Sequence, residues 1–148
     1  MSDQAVVRRI AHTRGSNFSL GFRLLPAAKR AAVYAAYAAC RIPDDIVDEA
    51  GANEDPGEVE RRLDAWVAEL EATYAGRPGT DATRALASAL ERYPIPRAAL
   101  LGLVEGCRMD LRRQRYETFA ELERYCELVA VTISDISLSI FGVLDPAA

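Results

Sequence analysis

An alanine-dominated run from Ala27 to Ala39 leads directly into Cys40-Arg41-Ile42-Pro43-Asp44-Asp45-Ile46-Val47-Asp48-Glu49. Alanine has the highest intrinsic helix propensity, so this run predicts a long helix whose small side chains let neighbouring helices approach closely. Four of the ten residues that close it are acidic. Asp44 and Asp48 are four apart and share one helical face. Like charges at that spacing repel by about 0.2–0.5 kcal/mol on an exposed helix, and a cation between them would reverse the sign. Mg2+ suits such a pair, because it takes one or two carboxylates, keeps waters and binds substrate phosphates. At about 100° per residue, Arg30, Tyr34, Tyr37, Arg41, Asp44 and Asp48 form a stripe roughly 80° wide. The spacing is equally compatible with a diphosphate site that adjoins an apolar tail groove and with a mixed, solvated helix face.

Further motifs accompany this one in order. They are Ser16-Asn17-Phe18-Ser19-Leu20-Gly21-Phe22-Arg23-Leu24-Leu25-Pro26, then Lys29-Arg30-Ala31, Tyr37-Ala38 and the aspartate stretch. Glu105-Gly106-Cys107-Arg108-Met109-Asp110 and Glu121-Leu122-Glu123-Arg124-Tyr125-Cys126 follow. Together they resemble the squalene/phytoene synthase family, whose members join two prenyl diphosphates head to head with Mg2+ in carotenoid or squalene/hopanoid biosynthesis. The resemblance implies an all-α fold, the isoprenoid-synthase-like helical bundle around a deep apolar cavity. It implies Asp44 and Asp48 as metal ligands and Arg41 as partner of diphosphate oxygens, these three being the catalytic set. Phe18, Phe22 and Tyr37 would line the tail pocket, and Asp110 would contact substrate. The implied substrates are farnesyl or geranylgeranyl diphosphate.

With 148 residues, half of them hydrophobic, the chain can bury a substantial core. A net charge of −4 offers no basic excess for nucleic acid. Cys40, Cys107 and Cys126 show no metal spacing and no even pairing, and read as reduced, buried thiols of a cytoplasmic protein. Residues 1–10 lack the apolar centre of a signal peptide. No run reaches the ~18 apolar residues of a membrane span, so any membrane contact is peripheral.

In chain order, residues 3–13 predict a short helix with His12, the only histidine, near its end. Phe18 and Phe22 share a helical face. Pro26 suits the first position of the long helix, and Pro43 inside it removes one backbone bond. Asp55, Pro56 and Glu58 read as a capping box opening a helix with Leu63, Trp66, Val67 and Leu70 inward. Thr80 caps a helix reaching Tyr93, and Pro96 begins another over 97–115. The arginines near the end of the latter suit the helix macrodipole. Thr118 with Glu121 opens a last helix over 119–142.

Several departures from the family pattern stand out. Glu127 occupies an aromatic place, and Val131 and Ser134 occupy two glycine places, where Val131 would narrow the tail space. Asp135 follows an apolar stretch and needs water or a partner. The family's second aspartate-rich motif is absent. The expectation is therefore a single partial domain over 1–148, about the first half of the family domain. Its open side would expose Tyr34, Tyr37, Leu128, Ile133, Ile136 and Ile140 and favour a homo- or hetero-oligomer. The alternative function is a non-catalytic binding or assembly subunit that completes its helical barrel with a partner chain.

Overall fold

The computed structural model describes residues 3, 5–7, 21, 22, 24–50, 54–112 and 115–142, which are helical or in connecting turns, without strands among them. The helices are α1 (Ala27–Asp48), α2 (Pro56–Tyr74), α3 (Asp81–Leu90), α4 (Arg97–Arg112), α5 (Phe119–Cys126) and α6 (Thr132–Phe141). A five-residue π turn, Glu127–Val131, joins the last two. His12 and Phe18 lie outside the described residues.

Helix α1 is the centre of the packing and touches α2, α3, α4 and α6. Its alanines at 32, 35, 36, 38 and 39 are buried nearly all round, together with Val33, Tyr34, Cys40 and Pro43. Small residues meet small residues against α3, which buries Ala82, Ala85 and Ala89. Pro26 caps the helix from one residue before its start, and the helix runs on through Pro43.

Helix α2 buries Val59, Leu63, Trp66 and Leu70, the expected face with Val67 half-buried. Each fully buried leucine contributes about 1.5–3 kcal/mol. Only half of the expected capping box forms. Asp55 accepts from the Gly57 amide at 3.2 Å, whereas Glu58 pairs with Arg61.

The α2–α3 connection hangs on Glu69. Its carboxylate accepts from Thr83 Oγ1 at 2.5 Å and from the amides of Gly79 at 2.6 Å and Thr80 at 3.2 Å. The Thr83 hydroxyl bond, before the two amides, holds this carboxyl below its usual value of 4.5. A depressed carboxyl contributes stability that is present above the unfolded value and is lost as pH falls through the folded one. Glu69→Gln is therefore expected to lower the urea midpoint at neutral pH and to flatten its acid decline below 4.5. Parallel declines in mutant and wild type would contradict this.

Helix α4 does not include Arg115, the expected end. Its arginines answer partners on α2 more than the macrodipole. Arg108, 13% exposed, pairs with Glu60 and with Asp64 at 2.6 Å, and Arg112 reaches Glu60 at 2.7 Å. The expected helix over 119–142 stays helical to Phe141 but carries a π turn within it. Facing it on α4 are Gly102 and Gly106, four apart. A Cβ on Gly106 would sit 2.6 Å from Val129 Cγ1, and one on Gly102 would sit 3.2 Å from Thr132 Cγ2. The two glycines form the groove in which Leu128, Val129 and Thr132 rest.

The expected open face is largely closed by these residues themselves. Tyr34, Leu128, Ile136 and Ile140 are buried, Tyr37 is half-buried, and of the six only Ile133 is exposed. Burial by α1's neighbours on several sides at once accounts for the difference. Asp135 faces water. Cys40 and Cys107 are buried as expected, but Cys126 is exposed.

Candidate active site

Helices α1, α4 and α6 enclose a cavity of about 410 Å³. Val33, Ala36, Tyr37 and Cys40 of α1 and Leu103 of α4 form two walls. Ile133, Ile136, Ile140 and Phe141 of α6 form the third, and Phe22 adds an aromatic edge. Phe22 and Tyr34 meet edge to face, with ring centroids 5.7 Å apart. Ser137 is the polar exception along the apolar walls, and Arg41 and Asp44 supply charge at the α1 end. Of the residues expected to hold an apolar tail, Phe22 and Tyr37 are thus in the wall. Val131 is 52% exposed and Ser134 is also exposed, and neither lines the cavity. Val131 therefore does not narrow this cavity.

At the charged end Arg41 pairs with Asp44, with Asp45 at 2.7 Å and with Asp48 at 3.1 Å. The repulsion expected between Asp44 and Asp48 is therefore answered from within the helix. Asp45 was missed by the face argument, although its i,i+4 spacing from Arg41 is a readable signal. Burial, then the charges of Asp48 and Asp45, push the Asp44 carboxyl up against the opposing pull of Arg41.

Asp110 lies on the neighbouring helix and accepts from the Tyr125 hydroxyl at 2.9 Å. Burial, then Asp110 itself, raises the Tyr125 phenol. Tyr116 packs on Tyr125 with centroids 5.3 Å apart. Burial pushes the Cys107 thiol up to about 12, helped by Asp44, Asp110 and Asp48. Asp44, Asp48 and Asp110, from two helices, are thereby within electrostatic reach of a single thiol. Tyr125 was not singled out from the sequence, although it stands in the Glu-Leu-x-x-Tyr-Cys element.

Among the described residues no group of three or more histidine, cysteine, aspartate or glutamate side chains is arranged to hold a metal ion. Asp44 and Asp48 do fit the two-carboxylate mode in which Mg2+ is completed by waters and phosphate oxygens. Their hard oxygens suit it, and a cation would relieve the crowding that raises the Asp44 carboxyl.

Residues 11–148 match the sequence profile of squalene/phytoene synthase. The chain belongs to the squalene/phytoene synthase family. A 15-cis-phytoene synthase of Synechocystis sp. is 39% identical over 138 residues, which are 93% of this chain and 40% of that protein. Squalene synthase HpnC from Alicyclobacillus acidocaldarius superposes with a TM-score of 0.84 at 34% identity, over 98% of this chain and 53% of that one. A dehydrosqualene synthase in complex with ligand gives 0.81 at 29% identity, over 93% and 47%. The all-α isoprenoid-synthase architecture expected from the motifs is the one observed. This squalene/phytoene synthase family chain spans about half the length, or less, of these relatives.

Proposed function

We propose that this chain contributes one wall of a head-to-head prenyltransferase site, taking farnesyl or geranylgeranyl diphosphate for carotenoid or squalene/hopanoid synthesis. The observation that carries the reading is the apolar cavity ending at Arg41 and Asp44, which suits an apolar tail with an anionic head. Asp44 and Asp48 would hold Mg2+. When bound, that ion draws charge onto the departing diphosphate. Arg41 is already oriented by three carboxylates, and its guanidinium would share its donors between them and diphosphate oxygens. Phe22 and Tyr37 position the tail and present ring faces that favour a developing cation. Asp110 fixes the Tyr125 hydroxyl by accepting its hydrogen bond, and burial with that bond keeps the phenol protonated.

A cytoplasmic location suits three cysteines that are all free. Among the described residues no helix is long and apolar enough to cross a membrane.

A second reading, a non-catalytic subunit that completes its helical barrel with a partner chain, is favoured by one observation. Val131, Ile133, Leu138 and Phe141 are 52%, 40%, 49% and 40% exposed along the π turn and α6. Incubation of the purified chain with either diphosphate and Mg2+, alone and with a separately expressed C-terminal half of a relative, distinguishes the two. Condensation product, from the chain alone or with the added half, that is lost in Asp44→Asn supports the first reading. Product only with the added half that survives Asp44→Asn supports the second, and none in either case defeats both.

A further inference from the structure

We propose that Phe141 is the end stop of the tail cavity and that Lys29 holds it in place, so that this pair sets the length of tail accepted. The inference rests on reading the cavity as a tail site. Lys29, in the first turn of α1, donates from Nζ to the Phe141 carbonyl at 2.7 Å, across 112 positions of sequence. Helix α6 ends at Phe141, and Gly142 stands at φ 82° with its amide bonded back to Leu138. The Phe141 carbonyl is one of the last of the helix and lacks an intrahelical donor. The negative end of the helix dipole favours an ammonium there.

The start of α1 thus meets the end of α6, and the two helices run antiparallel along the cavity. Asp44 lies toward one end and Phe141 at the other. From Val33 to Asp44 the α1 wall runs roughly 16 Å at 1.5 Å per residue. Phe141 lines the cavity and is 40% exposed, as a ring that separates the far end of the cavity from solvent would be. Lys29 touches no part of the cavity and is a positioning residue. Phe141 determines specificity.

The test uses the whole chain, with farnesol and geranylgeraniol as probes of the tail site and the corresponding diphosphates with Mg2+ as a second arm. Phe141→Ala is expected to raise the ratio of geranylgeraniol to farnesol affinity by about tenfold. Lys29→Met should shift it the same way by about threefold, as lost positioning rather than lost surface. Lys29→Arg, which restores a donor, should return the ratio to that of the wild type. A purely structural Lys29 would weaken both alcohols alike and leave the ratio unchanged. An unchanged ratio in Phe141→Ala, or a wild-type chain that binds neither alcohol, overturns the end stop. If the alcohols bind and shift as expected but the diphosphates gain nothing, the head-group reading of Asp44 and Asp48 fails while the end stop stands.

Discussion

Asp44→Asn is expected to weaken Mg2+-dependent binding of a prenyl diphosphate by about a hundredfold, since loss of one member of a partly desolvated charge set costs about 2–5 kcal/mol. Asp48→Asn should cost about tenfold, because Asp48 is 54% exposed against 42% for Asp44 and lies outside the cavity wall, where solvent weakens the interaction. The fold should not suffer. The Asp44 carboxyl is pushed up, so its ionised form is disfavoured in the folded chain. A raised carboxyl contributes stability that is present below the unfolded value and lost as pH rises through the folded one. At neutral pH the neutral asparagine is therefore expected to melt no lower than the wild type in the absence of Mg2+. Arg41 keeps Asp45 and Asp48 as partners in that variant. Titration calorimetry beside a thermal melt reads both quantities. Unchanged affinity in both variants would leave Asp44 and Asp48 as a solvated helix face with an internal counter-ion.

Gly106→Val should destabilise the chain by about 3 kcal/mol, at the upper end of overpacking costs. A Cβ at this position stands 2.6 Å from Val129 Cγ1 and 3.4 Å from Leu128 Cβ, and two further methyls enlarge the clash. Val129 sits in a helical turn, where a β-branched side chain has essentially one rotamer and cannot swing aside. The π turn must then lift from α4. For a chain of this size that predicts a melting point lower by roughly 10 °C. Val129→Ala in the same chain should recover part of the loss by removing the nearer methyls. The lift also moves Tyr125 away from Asp110, so diphosphate affinity should fall with the fold. A melting point within two degrees of the wild type, set against that roughly 10 °C, would show that the groove is looser than its contacts imply.

The helices and their inner faces were legible because they follow local rules. Alanine propensity marked α1, and the Leu63–Trp66–Leu70 spacing marked the buried side of α2. Asp55, Thr80 and Thr118 each accept from an amide at the start of their helix, as a cap should. The aspartate motif, Tyr37 and Phe22 were likewise readable, from spacing and from resemblance to the family.

The errors concern contacts between segments distant in sequence. Val131, in a place the family gives to glycine, was expected to narrow the tail space, but it does not line the cavity. The contact of α4 with the π turn rests on Gly102 and Gly106, whose packing role the sequence did not announce. A close approach needs a missing side chain on only one of its two helices, and Val131 is exposed. Arg108 and Arg112 were read against their own helix end, yet their carboxylate partners lie on α2. Phe119–Phe141 has no proline or glycine to announce its π turn, because such a turn inserts one residue without any special backbone angle.

The sequence alone thus determined which segments are helical, which faces are apolar, and that Asp44, Asp48 and Arg41 share one face, since helix pitch and propensity are local properties. Tertiary structure alone decided that Arg108 and Arg112 find their carboxylates on α2, that Asp110 meets Tyr125 and that Lys29 bonds the Phe141 carbonyl. Each of these depends on how helices remote in sequence pack, and no residue spacing encodes that.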